Sequence, residues 1–314
     1  MCSIMKMERI EVKVMASLQM FGFRALWSPF FLISLLFITW LYFMIVGPWR
    51  TRFTNEEPPT NKQKAYFVAG IVLLYICEGS PIDLLGHLMF SAHMTQMAVL
   101  NLIVPQLLIL GIPNWMFERM FRIKAVKRTV KFFTKPLISL ILFNALFSFY
   151  HVPFIFDIVK TNIFLHAAVT TIIFFTALVM WWPLVNKLSD WQTLTGIKKV
   201  VYIFANGILI TPACALIIFA DKPLYATYYD PQAWLNSLHL CVPAGTLASL
   251  KLTGPQMFFS MSLIHDQQLG GVLMKIIQEI VYGTMLFFIF AEWYQKEREK
   301  EQMETTVSPY PSES

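Results

Sequence analysis

Charge is the scarcest commodity in this chain. Only 14% of its 314 residues are Asp, Glu, Lys or Arg, while 56% are hydrophobic. A soluble domain carries about 25% charged residues, so this sequence has too few to cover a water-facing surface. Cysteine is also sparse. Cys2, Cys77, Cys214 and Cys241 show no CxxC or CxxCH spacing, which signals neither a zinc site nor covalent haem attachment. Sustained apolar/polar alternation is missing, and an unclosed sheet edge cannot sit in lipid, so strands are excluded. There is no phosphate-binding loop. Ser260, Ser262 and His265 lack the nucleophile elbow and oxyanion-hole sequence of a hydrolase. The chain therefore gives no positive sign of being an enzyme. Its net charge of +6 is modest, bears on topology and does not point to nucleic acid.

What it has is long apolar runs and a mean hydropathy of +0.56. A helix needs about 20 apolar residues to cross a bilayer. The runs predict an all-α polytopic membrane protein, a seven-transmembrane-helix bundle with spans near 25–46, 63–82, 86–112, 136–156, 163–184, 198–220 and 270–292. The second is the weakest, because "AYFVAGIVLLYIC" covers only 65–77 before Glu78. The domain division follows: an N-terminal segment 1–24, a membrane domain 25–293 and a polar tail 294–314, helical at first and then disordered.

Lys and Arg set the orientation. Arg50, Arg52, Lys62, Lys64, the cluster from Arg119 to Lys135, Lys187, Lys198, Lys199 and the tail cations fall on one face. The other face has only Lys160, Lys222 and Lys251. The crowded face is expected to be cytoplasmic, which places the N-terminus outside and the C-terminus in the cytoplasm. Lys6, Arg9 and Lys13 conflict with this, and a start at Met15 would remove them together with Cys2.

All six histidines then gather at the outer face. His87 and His93 open the third span, His151 closes the fourth, and His166 opens the fifth. His239 lies in the connection 221–269, and His265 precedes the seventh span. A preference for interfaces would populate both faces, so the one-sidedness requires a cause. Read as one helix, 84–112 is about 43 Å long against a core of about 30 Å. On that helix His87, His93, Met94 and Met97 share one sector. Met257, Met261 and His265 make a second ladder if 256–265 is helical. Thioether and imidazole donors suit Cu(I). Asp83, Asp157 and Asp266, near the outer ends of spans, are candidates for orienting the histidine rings. The competing readings are a packed Met, an interfacial His, and a b-type haem held by His87 with His151 or His166. Lys275 and Glu279, one turn apart inside the seventh span, form a pair with each other in the simplest reading. Cys77, Cys214 and Cys241 also fall toward the outer side, where copper binding and a disulfide both stay open.

The stretches "FGFRALWSPFFL" (21–32), "SAHMTQM" (91–97), "LLILGIP" (107–113), "FYHVPFIFD" (149–157), "FLHAAVTTIIFFTALVMWWPL" (164–184) and "DQQLGG" (266–271) together resemble the CtaG family of cytochrome c oxidase assembly factors, the multi-span type of Gram-positive bacteria. The resemblance implies a seven-span plasma-membrane protein needed for active haem-copper oxidase and concerned with a copper centre. Its partners would be oxidase subunits, the lipid bilayer and an extracytoplasmic copper chaperone as donor. His93 and Met94 match the family's His-Met pair, His151 and His166 its later histidines, and Asp266, Gly270 and Gly271 its DQxxGG turn. One position departs: Met97 stands where the family pattern HMxQH ends in His. The exchange keeps a Cu(I) donor while weakening a zinc or Cu(II) site. The sequence thus points to Cu(I) handling at the outer face, with a metal-free scaffold for oxidase subunits as the alternative.

Overall fold

A computed structural model describes residues 18–250, 252–258 and 261–307. Met15, the N-terminal cations, Cys2 and the last seven residues lie outside them. Eleven helices matter here: α1 Pro29–Val46, α2 Asn61–Gly79, α3 Pro81–Leu88, α4 Phe90–Ala98, α5 Val104–Gly111, α6 Lys124–Phe133, α7 Pro136–Tyr150, α8 Pro153–Lys160, α9 Ile163–Val185, α10 Ile197–Ile218 and α11 Leu263–Val307. Among the described residues there is no strand.

Five helical stretches are long and apolar enough to cross a membrane: 29–46, 90–111, 163–185, 197–218 and 263–299. Two bent pairs, α2 with α3 at 46° and α6 with α7 at 72°, raise the number to seven if each counts as one span. The all-helical, multi-pass membrane architecture expected from the apolar runs is therefore present. Local chemistry explains several boundaries. Thr60 and Gln63 form a reciprocal capping box at the start of α2. The Asn162 side chain accepts from the Leu165 amide and opens α9.

The third span departs from the expectation of one continuous helix over 86–112. It breaks at Met89, whose backbone is extended (φ −128°, ψ 135°). The broken end is satisfied from far along the chain. The Asp266 carboxylate accepts from the Phe90 amide at 2.7 Å, the Ser91 amide at 3.3 Å and the Ser91 hydroxyl. Those amides have no partner within their own helix. His87 consequently sits on α3 and His93 on α4, so they do not share one helical sector.

A π-helical turn, Val99–Ile103, then leads into α5. Pro105 lacks the N–H that would reach the Asn101 carbonyl in an α-helix. That carbonyl instead accepts from the Trp181 indole at 3.0 Å, which ties α9 to the third span. The bundle closes through α4 on α11 and α10 on α11. Gly270 and Gly271 make this approach possible. A Cβ at Gly270 would come within 3.1 Å of the Ser91 Cα, and one at Gly271 within 2.6 Å of Ile218. Gln267 adds a clasp, accepting from the Leu224 amide and donating to the Ile217 carbonyl. The DQxxGG stretch is thus a packing and capping device.

Candidate copper-handling site

The turns where α2 passes to α4 and α7 passes to α9 lie at the same end of the bundle, and they bring four histidines together. His87 and His166 have ring centroids 5.7 Å apart. His93 and His151 are 6.2 Å apart. His87, His93 and His151 are buried, and His166 is half-buried.

The inner pair carries the more informative hydrogen bonding. His151 Nδ1 lies 2.7 Å from the Phe147 carbonyl. A carbonyl can only accept, so Nδ1 carries the proton and the lone pair is on Nε2. That Nε2 is buried and has no partner among the described residues, and the same holds for His93 Nε2 and His166 Nδ1. Eleven buried side-chain polar atoms lack a protein partner among the described residues, and three of them are imidazole nitrogens gathered at one end of the bundle, where their lone pairs or protons are available to a ligand. A ring held through Nδ1–H by a backbone carbonyl, with Nε2 free, is the usual preparation of a metal-binding histidine.

The outer pair faces a cavity of about 600 Å³, lined also by Arg24, Glu78, Asp83, His239 and Cys241. Gln96 organises its acidic wall. Its amide nitrogen donates to the Cys77 carbonyl at 2.7 Å, to Asp83 at 3.1 Å and to Glu78 at 3.4 Å. Behind His87 lies Lys160, only 2% exposed. Its ammonium is 3.4 Å from both the Gly86 carbonyl and His87 Nδ1, and lies 5.9 Å from the Phe156 and Tyr228 rings. No carboxylate is within ion-pairing distance of it among the described residues. Burial pushes the Lys160 ammonium down to about 8, against the opposing pull of Asp83, Cys241 and Glu78. In the sequence Lys160 is marked only as one of three cations on the sparsely charged face. Of the acidic wall the sequence singles out Asp83, by its place near a span end, and marks Glu78 only as the residue that ends an apolar run.

The remaining sequence candidates are placed as follows. Met94 and Met97 are buried in the core. Met94 packs toward Gly270, and Met97 Sδ lies 3.9 Å from Asn101 Nδ2. Met257, Met261 and His265 do not form a helical ladder. Met257 ends a short 3-10 turn, its sulfur accepting from the Thr253 amide at 3.0 Å, and helix α11 starts only at Leu263. All three side chains are exposed. The three aspartates bond elsewhere than to histidine rings. Asp83 takes Gln96, Asp157 takes the amides of Ala226 and Thr227 at 2.9 and 3.0 Å, and Asp266 takes Phe90 and Ser91. Backbone amides at chain turns hold the latter two. Cys77, Cys214 and Cys241 are free thiols, so no disulfide joins them. Among the described residues, no group of three or more His, Cys, Asp or Glu side chains is arranged to hold a metal ion.

Residues 40–296 match the family model described as cytochrome c oxidase caa3 assembly factor (Caa3_CtaG). The chain belongs to this family. The match covers most of the chain and includes all four converging histidines and the Asp266–Gly271 stretch. Comparison with curated proteins gave no match, and neither did comparison with solved structures. As a caa3 assembly factor, the protein belongs to a family named for building the oxidase.

Proposed function

We propose that this caa3 assembly factor handles Cu(I) at the histidine-bearing end of its bundle, that this end faces the outside of the plasma membrane, and that the ion is passed to an oxidase subunit. The observation that carries the reading is the set of unpartnered buried nitrogens, His93 Nε2, His151 Nε2 and His166 Nδ1. The donors come in pairs and do not converge as a tetrahedral cluster. That suits a soft ion of low coordination number better than zinc, which takes four ligands. His87 and His166, at the cavity, form the exchange-accessible pair, and His93 with His151 forms the enclosed one. Met94 and Met97 lie on the same helix as His93 with their side chains packed in the core, Met94 toward Gly270 and Met97 toward Asn101, and in this reading they stand by as soft donors. Met257, Met261 and His265 are left out of the site.

A porphyrin is a poorer occupant. Phe90, Tyr150 and Phe156 pack around His93 with ring centroids at 6.0, 6.1 and 5.2 Å, and they fill the space a macrocycle would need.

The test is genetic and chemical together. His151→Ala and His93→Ala, each in a strain whose own copy is deleted, are expected to lower caa3 oxidase activity, with partial rescue by added copper. Loss of activity that copper does not touch, with the variants folded and inserted, would favour the metal-free scaffold.

A further inference from the structure

Helix α11 carries Lys275 and Glu279 within the apolar stretch that precedes its polar end at Glu292. Lys275 Nζ and Glu279 Oε1 are 2.9 Å apart, and the Glu279 side chain is 64% exposed. Ile276, Ile280 and Phe287 are exposed with it, and a Cβ placed on Gly283 would meet nothing within 4 Å. The depth of this group follows from the helix itself. Glu292, paired with Lys199 at 3.2 Å, and the exposed Trp293 and Tyr294 mark one water boundary. Glu279 is thirteen positions before Glu292, or about 20 Å at about 1.5 Å per residue, well inside a core of about 30 Å.

The local bonding is lopsided. The Lys275 ammonium has an acceptor for each proton: Glu279 Oε1, Thr211 Oγ1 at 3.2 Å and Gln278 Oε1 at 3.3 Å. Glu279 Oε1 also takes the Gln278 amide at 3.4 Å. Glu279 Oε2 has no donor among the described residues. Ionisable side chains within a membrane almost always face protein or a water-filled space. A half-satisfied carboxylate beside an open glycine is the surface of a helix awaiting another helix.

We propose that the Glu279–Gly283–Phe287 face of α11 docks a transmembrane helix of the caa3 oxidase, one that presents a hydrogen-bond donor to Glu279 Oε2 and a small side chain to Gly283. A second copy of this chain fits less well. Its own α11 would offer another Glu279 and a lysine whose protons are already used. The inference rests on the family's assembly role and is independent of copper.

A photo-crosslinking residue at Ile280, with one at the equally exposed Phe204 of α10 as control, tests this in cells producing the oxidase. The expected result is a crosslink from position 280 to a membrane subunit of the oxidase and none from position 204. Crosslinks to lipid alone, or to a second copy, would overturn the proposal. Gly283→Leu supplies a second readout, because the open space around Gly283 lets the fold accept it. It is expected to leave the protein's abundance and thermal midpoint unchanged while lowering oxidase capture about fivefold, the size of one interhelical contact of about 1 kcal/mol. Wild-type capture by Gly283→Leu would refute the docking face. A deletion strain lacking oxidase activity would still uphold the assembly role, so the two failures are separable.

Discussion

Lys160→Met replaces a fully buried ammonium by an apolar chain of similar length. In the wild type, burial lowers the Lys160 pKa from 10.5 to about 8. That lowering corresponds to about 3 kcal/mol, at about 1.36 kcal/mol for each tenfold change in proton affinity. The sign follows from proton counting. Between pH 8 and 10.5 the unfolded chain holds this proton more often than the folded one, so stability rises with pH across that window. Below pH 8 both states are protonated and the full cost is present. Two long hydrogen bonds and two aromatic faces offset part of it, each worth about 1 kcal/mol or less at such distances. Lys160→Met is therefore expected to be more stable than wild type at pH 7, by on the order of 1 kcal/mol, or a rise of about 2–4 °C in thermal midpoint in detergent. The advantage should shrink as the pH is raised from 7 to 9.5. A variant that melts lower than wild type at pH 7, or a gap that does not change with pH, would refute the view of Lys160 as an underpaired buried cation.

Four further outcomes follow from the packing. Gly270→Ala is expected to cost about 1–3 kcal/mol in an unfolding measurement, because its Cβ meets Phe90, Met94 and the Ser91 backbone at 2.9–3.1 Å. Gly245→Ala, with nothing within 4 Å, should be neutral or slightly stabilising. Asp266→Ala leaves the Phe90 and Ser91 amides without their acceptor. It should cost about 1–3 kcal/mol and speed hydrogen exchange at the start of α4 more than elsewhere. Asp157→Ala is expected to free the segment at Ala226–Thr227, read as faster amide exchange there with the helices unchanged.

How far the sequence reached depended on whether the deciding contact was local. The fifth and sixth spans, expected at 163–184 and 198–220, are Ile163–Val185 and Ile197–Ile218. Two separate apolar runs, one opening after Asn162 and one after Gly196, whose φ is +49°, set where the two helices begin. The break at Met89 was illegible, because no glycine or proline stands there and its partner, Asp266, is 176 positions from Phe90. Joining His87 to the His93 sector was the direct consequence. The convergence of His93, His151 and His166 was anticipated from their shared end of the bundle. Which of their nitrogens lack partners was not, since that depends on packing. Lys160 was missed for the same reason: a lone lysine in a short connection looks solvated until Phe156 and Tyr228 close over it.

The most direct test of the central claim is Cu(I) titration of the purified protein under reducing conditions, against a competing chelator, alongside the His93→Ala/His151→Ala double variant. The account predicts that the wild type binds Cu(I) and that the folded double variant loses the tightest-bound ion. Equal copper stoichiometry and affinity in the two proteins would contradict it.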